Sequence, residues 1–202
     1  MLEFSKDTNP SVLEKRREFQ EVAFEHMDSL YNTALRMTKN EVDAQDLVQD
    51  VYVRAYRFFD KFKRGTNFKA WIFKILTNTF INQYRKKTSQ PYHIEFDKVQ
   101  HNYEGDKVGD SFEQLVDSLD DNYDMLFDDE IKRALQALSD DFRMVVILAD
   151  IESFSYKEIA RIIGCPIGTV MSRLSRGRRQ LQNGLREYAI RGGFMPKERK
   201  HD

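Results

Sequence analysis

Residues 61–87 read KFKRGTNFKAWIFKILTNTFINQYRKK, and this stretch decides how the chain is organised. It contains eight basic residues and no acid, whereas the formal net charge of the whole chain is only −1. Because cations neutralise phosphates and aromatic rings stack on unpaired bases, the stretch favours binding of a partly single-stranded nucleic acid. The alternative for each ring is simple core packing. The rings concerned are Phe68, Trp71, Phe73, Phe80 and Tyr84.

The composition excludes several classes of protein. Hydrophobic residues make up 41% and charged residues 32% of the 202 positions, with only four prolines, which is typical of a helical protein with packed cores. A single cysteine, Cys165, excludes an internal disulfide, and the four histidines show no ligand spacing, so neither a metal site nor a cofactor is predicted. No apolar run reaches about 18 residues and the start lacks a signal-peptide pattern, so we expect a cytoplasmic protein without a membrane segment.

Apolar residues at intervals of three and four predict two helices ahead of the basic stretch. Residues 1–16 are predicted to be a flexible lead-in, and the first helix is predicted over 17–39. The second helix is predicted over 40–65, with Asn40 as its N-cap. Its charged face includes Asp46, Gln49 and Asp50, and by pattern alone such a face is solvated.

A third helix is predicted over 68–86, capped by Thr66 or Asn67. Poor helix formers between Thr77 and Asn82 favour a break, where amide and hydroxyl groups would be offered to a base edge. The predicted inner side of this helix consists of Phe68, Trp71, Ile72, Ile75, Leu76 and Phe80.

An acidic segment separates two parts of the chain. Residues 88–130 contain 13 acids against two lysines, and their hydrophobic residues show no period until about Leu115. This composition predicts a flexible linker, with bounds set at 89–123. Fully extended, it would span on the order of 100 Å.

Helical periodicity resumes in residues 124–191, which are predicted to form a second domain. Ser139 is a candidate N-cap, and the SYKE sequence at 155–158 matches a capping box. Gly164 is placed to end the helix that follows, and Pro166 to occupy the first position of the next one. Residues 192–202 are predicted to be a flexible tail.

The last predicted helix, over 167–191, carries six arginines against one acid, Glu187. A short helix, a tight turn with glycine and a basic helix form the helix-turn-helix pattern, whose second helix enters the major groove. The sequence therefore predicts an all-α chain of two small helical domains joined by a flexible acidic linker. The second domain is expected to read duplex DNA and the first an opened strand.

Three motifs in order resemble the extracytoplasmic-function (ECF) sigma factors of bacterial RNA polymerase. They are DLVQD at 46–50, the pattern FxxWIxxIxxN at 68–78, and YKEIA followed by GTVMSRL at 156–174. The resemblance identifies 17–88 with the family's region two, a helical bundle, and 124–190 with its region four. The wording of 65–87 and 166–181 further resembles the thiol-stress branch typified by sigma-R and SigH.

The resemblance implies a non-enzymatic factor that binds core RNA polymerase and directs promoter-specific initiation. Its acidic motif, Asp46, Gln49 and Asp50, would dock on the β′ clamp helices. Asn78 would line the pocket for a flipped base of the minus-ten strand. The implied minus-ten contacts are Asn78, Thr79, Phe80, Asn82, Arg85 and Lys86. The implied minus-thirty-five contacts are Thr169, Met171, Ser172, Ser175, Arg176 and Arg179.

Two departures accompany these assignments. Family members often carry arginine where Met171 stands, so a bidentate guanine contact is not assumed at that position. Arg173 and Arg178 are assigned to phosphate contact or local packing. Cys165 lies near a helix N-terminus, where a thiolate is favoured, but a small residue at a cap is the preferred interpretation.

The partners implied are core polymerase (its β′ clamp helices and β flap), promoter DNA and a stress-response anti-sigma factor, zinc-containing if the thiol-stress resemblance holds. The acidic linker resembles the family segment that threads the RNA exit channel. The main alternative is a stand-alone dimeric helix-turn-helix regulator. An enzyme acting on nucleic acid is disfavoured, since the acids lie outside the basic stretches.

Overall fold

The computed structural model describes residues 10–84 and 129–195, and all regular structure in these two ranges is helical. The amino-terminal unit contains α1 (Pro10–Phe24), α2 (Met27–Thr38), α3 (Glu41–Phe58) and α4 (Phe68–Tyr84), with a short 3₁₀ turn at Phe59–Lys61. The carboxy-terminal unit contains α5 (Asp129–Ala137), α6 (Asp140–Val146), a π-helical turn at Ile147–Ile151, α7 (Tyr156–Ile163), α8 (Ile167–Gly184) and α9 (Arg186–Arg191). The predicted linker 89–123, Arg85 and Lys86 lie outside the described residues, as do 1–9 and 196–202.

The first predicted helix is two helices in the structure, and it begins earlier than expected. Helix α1 starts at Pro10, inside the predicted lead-in 1–16, because proline suits a first helical turn and Lys15 pairs with Asp60. The chain then turns at Glu25 and His26, before α2. The His26 ring stacks on Phe68 at 5.9 Å, a tertiary contact that the helical period does not reveal.

The caps of α3 and α4 follow local sequence rules. Asn40 caps α3 as predicted, since its Oδ1 accepts from the Asp43 backbone N at 2.9 Å. Asn67, one of the two predicted candidates, caps α4 by accepting from the Ala70 backbone N at 2.9 Å. Helix α3 ends at Phe58, short of the predicted Gly65, and Phe59 then enters the core.

Helix α4 is continuous, so the predicted break between Thr77 and Asn82 is wrong. Thr77 and Thr79 are buried within the helix, and the Thr77 hydroxyl lies 3.2 Å from the Lys74 carbonyl oxygen. Weak helix propensity costs at most about 0.7 kcal/mol per residue. Burial of the neighbouring Leu76 and Phe80 outweighs that cost, at about 1.5–3 kcal/mol per large apolar side chain.

Aromatic packing forms the centre of the amino-terminal unit. Phe68 is buried and its ring lies 5.2 Å from that of Phe62 and 5.4 Å from that of Trp71. Phe19 adds edge-on contacts to the same cluster, including one to Phe59 at 5.3 Å. The scaffold interpretation of Phe68 and Trp71 is therefore confirmed, and aromatic pairs of this geometry stabilise a core beyond the area they bury.

The predicted helix-turn-helix is present in the carboxy-terminal unit. Ser155 and Glu158 form the capping box of α7 with both reciprocal bonds, and Gly164 ends α7 with a φ of +73°. Pro166 occupies the N-cap of α8, one residue before the predicted position, and the helix proper starts at Ile167. The basic helix also ends earlier than predicted, because the chain turns at Leu185 before α9.

The two units pack directly against each other. Helices α2 and α4 of the amino-terminal unit meet α6, α7 and the loop before α7. At this junction the rings of Phe73 and Phe154 lie 5.2 Å apart, edge to face, and both are buried. The sequence predicted two domains but did not identify the surfaces through which they meet.

Candidate nucleic-acid interface

In the acidic motif of α3, two side chains are exposed and one packs against a neighbouring helix. Asp46 and Gln49 are exposed on one side of the helix. Asp50 is half-buried and accepts a hydrogen bond from the Gln83 side-chain amide, which joins α3 to the end of α4. Two of the three predicted side chains are therefore free to meet another protein in this arrangement, and the third also holds two helices together.

The polar end of α4 presents amides rather than a loop. Asn78 is half-buried and Asn82 is exposed, and their spacing of four places them on one side of the helix. Thr79 and Phe80 are only 3% and 4% exposed, because they face the core. A DNA strand can thus reach the two asparagines in this arrangement but neither Thr79 nor Phe80.

The cations of the basic stretch do not form one surface. Arg64 forms a two-pronged ion pair with Glu18, and Lys69 is tied to the other unit. Lys61 and Lys63 remain exposed beside the start of α4. The described cations of the stretch are therefore dispersed over several partners and do not form a continuous basic surface.

Helix α8 has one buried side and one outward side. Val170, Leu174 and Gly177 face the unit's core. A Cβ on Gly177 would lie 2.8 Å from the Val146 Cγ2, so glycine is required for the close approach of α8 to α6. Of the predicted minus-thirty-five residues, Thr169 is half-buried and the other five are exposed, namely Met171, Ser172, Ser175, Arg176 and Arg179.

The arginines of α8 differ in what they contact. Arg173 forms a 2.9 Å ion pair with Asp141, and the Arg178 Nε lies 3.2 Å from an Asp150 carboxylate oxygen. These two pairs brace α8 against the rest of the unit, which fits the packing assignment. Arg176 and Arg179 have no carboxylate partner within 10–84 and 129–195 and project from the outward side.

Cys165 lies in the turn between α7 and α8, half-buried. Burial raises the pKa of its thiol, and nearby Arg173 opposes that shift only in part. A raised pKa disfavours the reactive thiolate, so the environment supports a packing role rather than a redox one.

A cluster that the sequence analysis missed lies between the units. The Lys69 Nζ is 2.9 Å from one Glu152 carboxylate oxygen, and the Thr33 hydroxyl donates to the other at 2.9 Å. Lys69 also lies 5.1 Å from the centre of the Phe154 ring. The Glu152 side chain is only 5% exposed, so this ion pair is largely desolvated on its acidic side.

A second contact joins the units beside this cluster. Arg143 is buried, and its guanidinium donates to the backbone carbonyl oxygens of Leu138 at 3.1 Å and Met37 at 2.9 Å. Desolvation lowers the pKa of Arg143, and Asp140 opposes that shift. Met37 lies in the last turn of α2, where a cation is favoured by the exposed carbonyls.

One signal for this interface was present in the sequence. Apolar residues occur on more than one side of α4, which indicates a helix buried on more than one side. Lys69, Phe73 and Thr77 are spaced four residues apart, so they lie along one side of α4. That side faces the carboxy-terminal unit. The identity of the partner surface required the tertiary structure.

Two further features of the described residues concern metal binding and membrane insertion. In the described part of the chain, no group of three or more His, Cys, Asp or Glu side chains is arranged to hold a metal ion. Across the same residues, no helix has both the length and the apolar character needed to cross a membrane.

Comparison with protein families matches both units. The family model for sigma-70 region 2 matches residues 24–90. The family model for sigma-70 region 4 matches residues 128–181. The two matches thus cover the units that carry the α3 and α4 side chains and the α8 side chains.

Curated relatives are about 30% identical to this chain over the aligned residues. ECF RNA polymerase sigma factor SigE of Mycolicibacterium smegmatis is 31% identical over 176 residues, covering 85% of this chain and 63% of SigE. ECF RNA polymerase sigma factor SigW of Bacillus subtilis is 30% identical over 173 residues, covering 84% of this chain and 89% of SigW. The ECF RNA polymerase sigma-E factor of Escherichia coli is 30% identical over 147 residues, covering 70% and 73%.

Two solved structures share the fold. The sigma factor RpoE, in a co-crystal with the anti-sigma factor NepR from Bartonella quintana, is 33% identical, with a TM-score of 0.60 over 84% of this chain and 98% of that one. CnrH, in complex with the cytosolic domain of CnrY, is 22% identical, with a TM-score of 0.57 over 87% and 95%. The second likeness shows the fold alone.

Proposed function

This chain belongs to the ECF sigma factors of RNA polymerase, non-enzymatic proteins that direct transcription initiation, and on that premise we propose which side chains perform each step. The amino-terminal unit binds core polymerase and the minus-ten strand. The carboxy-terminal unit binds the minus-thirty-five element. The observation that carries this division is the outward side of α8, where two arginines without a described carboxylate partner follow exposed serines.

Core binding is assigned to α3. Asp46 and Gln49 are exposed one turn apart, which suits docking on a helical partner such as the β′ clamp helices. Asp50 contributes while holding Gln83, so it links the docking surface to the helix that carries Asn78. Region four would contact the β flap, as it does in the family.

Minus-ten recognition is assigned to the amide pair of α4. Asn78 and Asn82 present donors and acceptors that suit the edge of an unpaired base. Thr79 and Phe80 reach the strand only after α4 is uncovered or repacked, since both are buried here. Arg85 and Lys86 follow α4 in the sequence, and we assign them to backbone phosphates.

Minus-thirty-five recognition is assigned to α8. In a helix-turn-helix, the first residues of the second helix meet base edges while later ones reach the backbone. Met171, Ser172 and Ser175 then face bases, with Thr169 at the start of the helix. Arg176 and Arg179 contact phosphates or the border of the element.

An anti-sigma partner is proposed from the structural neighbours, two of which are complexes of a sigma factor with such a protein. A closer affiliation with the sigma-R and SigH branch, and a zinc-containing partner with it, depends on the wording of 65–87 and 166–181. The purified complex would then contain zinc and dissociate on thiol oxidation. A complex that contains no zinc and does not dissociate on thiol oxidation would contradict this affiliation. A cytoplasmic location follows from the proposed partners.

The test is transcription in vitro by core polymerase with and without the full chain, on a promoter library. Asp46→Ala is expected to weaken core binding about tenfold, whereas Asn78→Ala is expected to leave core binding intact and slow open-complex formation by a similar factor. Glu41→Ala is the matched control, because it removes an exposed acid from the same helix outside the motif.

Two outcomes would contradict the proposal. Absence of initiation from every promoter, together with dimeric binding to duplex DNA without polymerase, would favour a stand-alone regulator. Loss of core binding in Asn78→Ala would overturn the division of roles between α3 and α4.

A further inference from the structure

The first half of α8, residues 167–175, presents apolar and hydroxyl-bearing side chains on its outward side. Ile167 is 42% exposed and Met171 is 52% exposed, one turn apart on the same edge of the helix. Both lie on the outward side of α8, which the proposed function assigns to DNA. Contact with an apolar group on a base edge would remove their exposed surface from water.

The arginines of α8 are either held in ion pairs or lie further along the helix. Arg173 is bound to Asp141 and Arg178 to Asp150, so both are held against the unit. The two arginines without a described carboxylate partner, Arg176 and Arg179, lie more than one turn further along α8. Among the described residues of α8, the arginine within one turn of Met171 is Arg173, which is paired with Asp141, so bidentate recognition of guanine there would require that ion pair to break.

The hydroxyl groups beside Met171 are compatible with a base pair that contains thymine. The Ser172 hydroxyl donates to the Thr169 carbonyl oxygen at 3.1 Å, which leaves its oxygen as an acceptor toward the groove. Gly168 has nothing within 4 Å of the place a Cβ would take, so the first turn offers open space for a close approach to bases.

We propose that Met171, supported by Ile167, reads the C5-methyl group of a thymine in the minus-thirty-five element. The thymine methyl is the one apolar group that distinguishes a base pair in the major groove. The Met171 thioether chain is unbranched and polarizable, which allows it to pack against that methyl group. This inference rests on the proposed function of α8 and names the base chemistry that the helix selects.

The test first selects the preferred element from promoters randomised upstream, using holoenzyme assembled with the wild-type chain. Each selected thymine is then replaced by deoxyuridine, which removes only the methyl group. At one position we expect the replacement to weaken promoter binding roughly fourfold, the factor that burial of a single methyl group predicts. Replacement of thymines between the two promoter elements serves as the control and is expected to have no effect.

Variants of Met171 assign that sensitivity to one side chain. Met171→Leu, which keeps an apolar side chain of similar volume, is expected to retain the deoxyuridine effect. Met171→Ala is expected to abolish it, so that this variant binds the thymine-containing and the uracil-containing promoters equally. Met171→Arg is expected to shift the selected base toward guanine.

The inference is overturned if no selected thymine shows a methyl effect, or if the effect is unchanged in Met171→Ala. Both results require a holoenzyme that initiates from the selected promoters. Failure to initiate from any promoter would instead contradict the proposed function itself, so the two failures are distinguishable.

Discussion

At the residue scale, single side chains have roles that their type alone does not reveal. Lys69 belongs to a basic stretch suited to phosphates, yet it is bound to Glu152 of the other unit. Gly177 sits inside a helix, where glycine is ordinarily unfavourable, because α6 leaves no space for a Cβ. Both cases depend on what lies opposite the residue.

Gly177→Ala is expected to destabilise the carboxy-terminal unit by about 1–3 kcal/mol, since the new Cβ would lie 2.8 Å from Val146 and force α8 away from α6. Urea unfolding followed by circular dichroism measures the change. Gly184→Ala is the control, because its Cβ would lie 3.7 Å from that of Ala134, an ordinary contact. That variant is expected to be neutral or stabilising by up to about 1 kcal/mol. Equal effects of the two substitutions would contradict the close-approach argument.

His26 is expected to make the folded chain less stable at acidic pH than at neutral pH. Burial against Phe68 lowers its pKa, with Glu25 and Glu152 opposing and Lys69 reinforcing that shift. In the unfolded chain, His26 binds a proton near the ordinary histidine pKa of about 6.5, whereas in the folded chain it does so only at lower pH. The free energy of unfolding therefore decreases as the pH falls through about 6.5.

The measurement compares urea midpoints at about pH 7.5 and 5.5, on either side of the ordinary histidine pKa. His26→Gln is expected to reduce the loss seen in the wild-type chain. An identical loss in both proteins would assign the pH dependence to other groups.

At the element scale, local rules predicted the helices well and their junctions poorly. The N-caps at Asn40, Asn67 and Ser155 depend on bonds to backbone groups three residues away, which the sequence displays directly. The turn at His26 and the continuity of α4 depend on packing against distant residues, so periodicity and propensity misjudged both.

Two serines at helix starts allow the cap to be tested within one unit. Ser155 accepts from the Glu158 backbone N, whereas Ser139 occupies the same position before α6 without any side-chain cap bond. Ser155→Ala is expected to cost about 1–2 kcal/mol and Ser139→Ala less than about 0.5 kcal/mol in urea unfolding. A larger effect at Ser139 would show that cap geometry does not govern the stability of these helices.

At the scale of the whole molecule, the proposed function requires the two units to separate before both promoter elements are bound. A compact chain of this length is roughly 40 Å across, whereas sites two turns of duplex apart are separated by about 70 Å. The packed arrangement also covers Thr77, whose hydroxyl lies 3.4 Å from the Ile162 carbonyl oxygen of α7. Under the proposed function, we therefore expect binding of polymerase and DNA to compete with the interface between the units.

Glu152→Gln is expected to weaken that interface by about 1–3 kcal/mol. It leaves the Lys69 ammonium without a counter-charge, and the effect is smaller than for a fully buried pair because Lys69 is 32% exposed. Small-angle scattering of the free chain should show a larger radius of gyration.

The matched control is Asp141→Asn, which breaks an ion pair with Arg173 inside one unit. It is expected to leave the radius of gyration unchanged. Equal expansion in both variants would mean that the Glu152 cluster does not hold the units together.

The sequence by itself determined the two helical units, their principal caps, the helix-turn-helix and the family, because these follow from residues close together in the chain. Tertiary structure decided which candidate side chains are accessible: it buried Thr79 and Phe80 and exposed Asp46 and Met171. It also joined Lys69 to Glu152, 83 residues away. Such pairings depend on which faces of the helices meet, and helical periodicity marks a face as apolar without naming the surface that covers it.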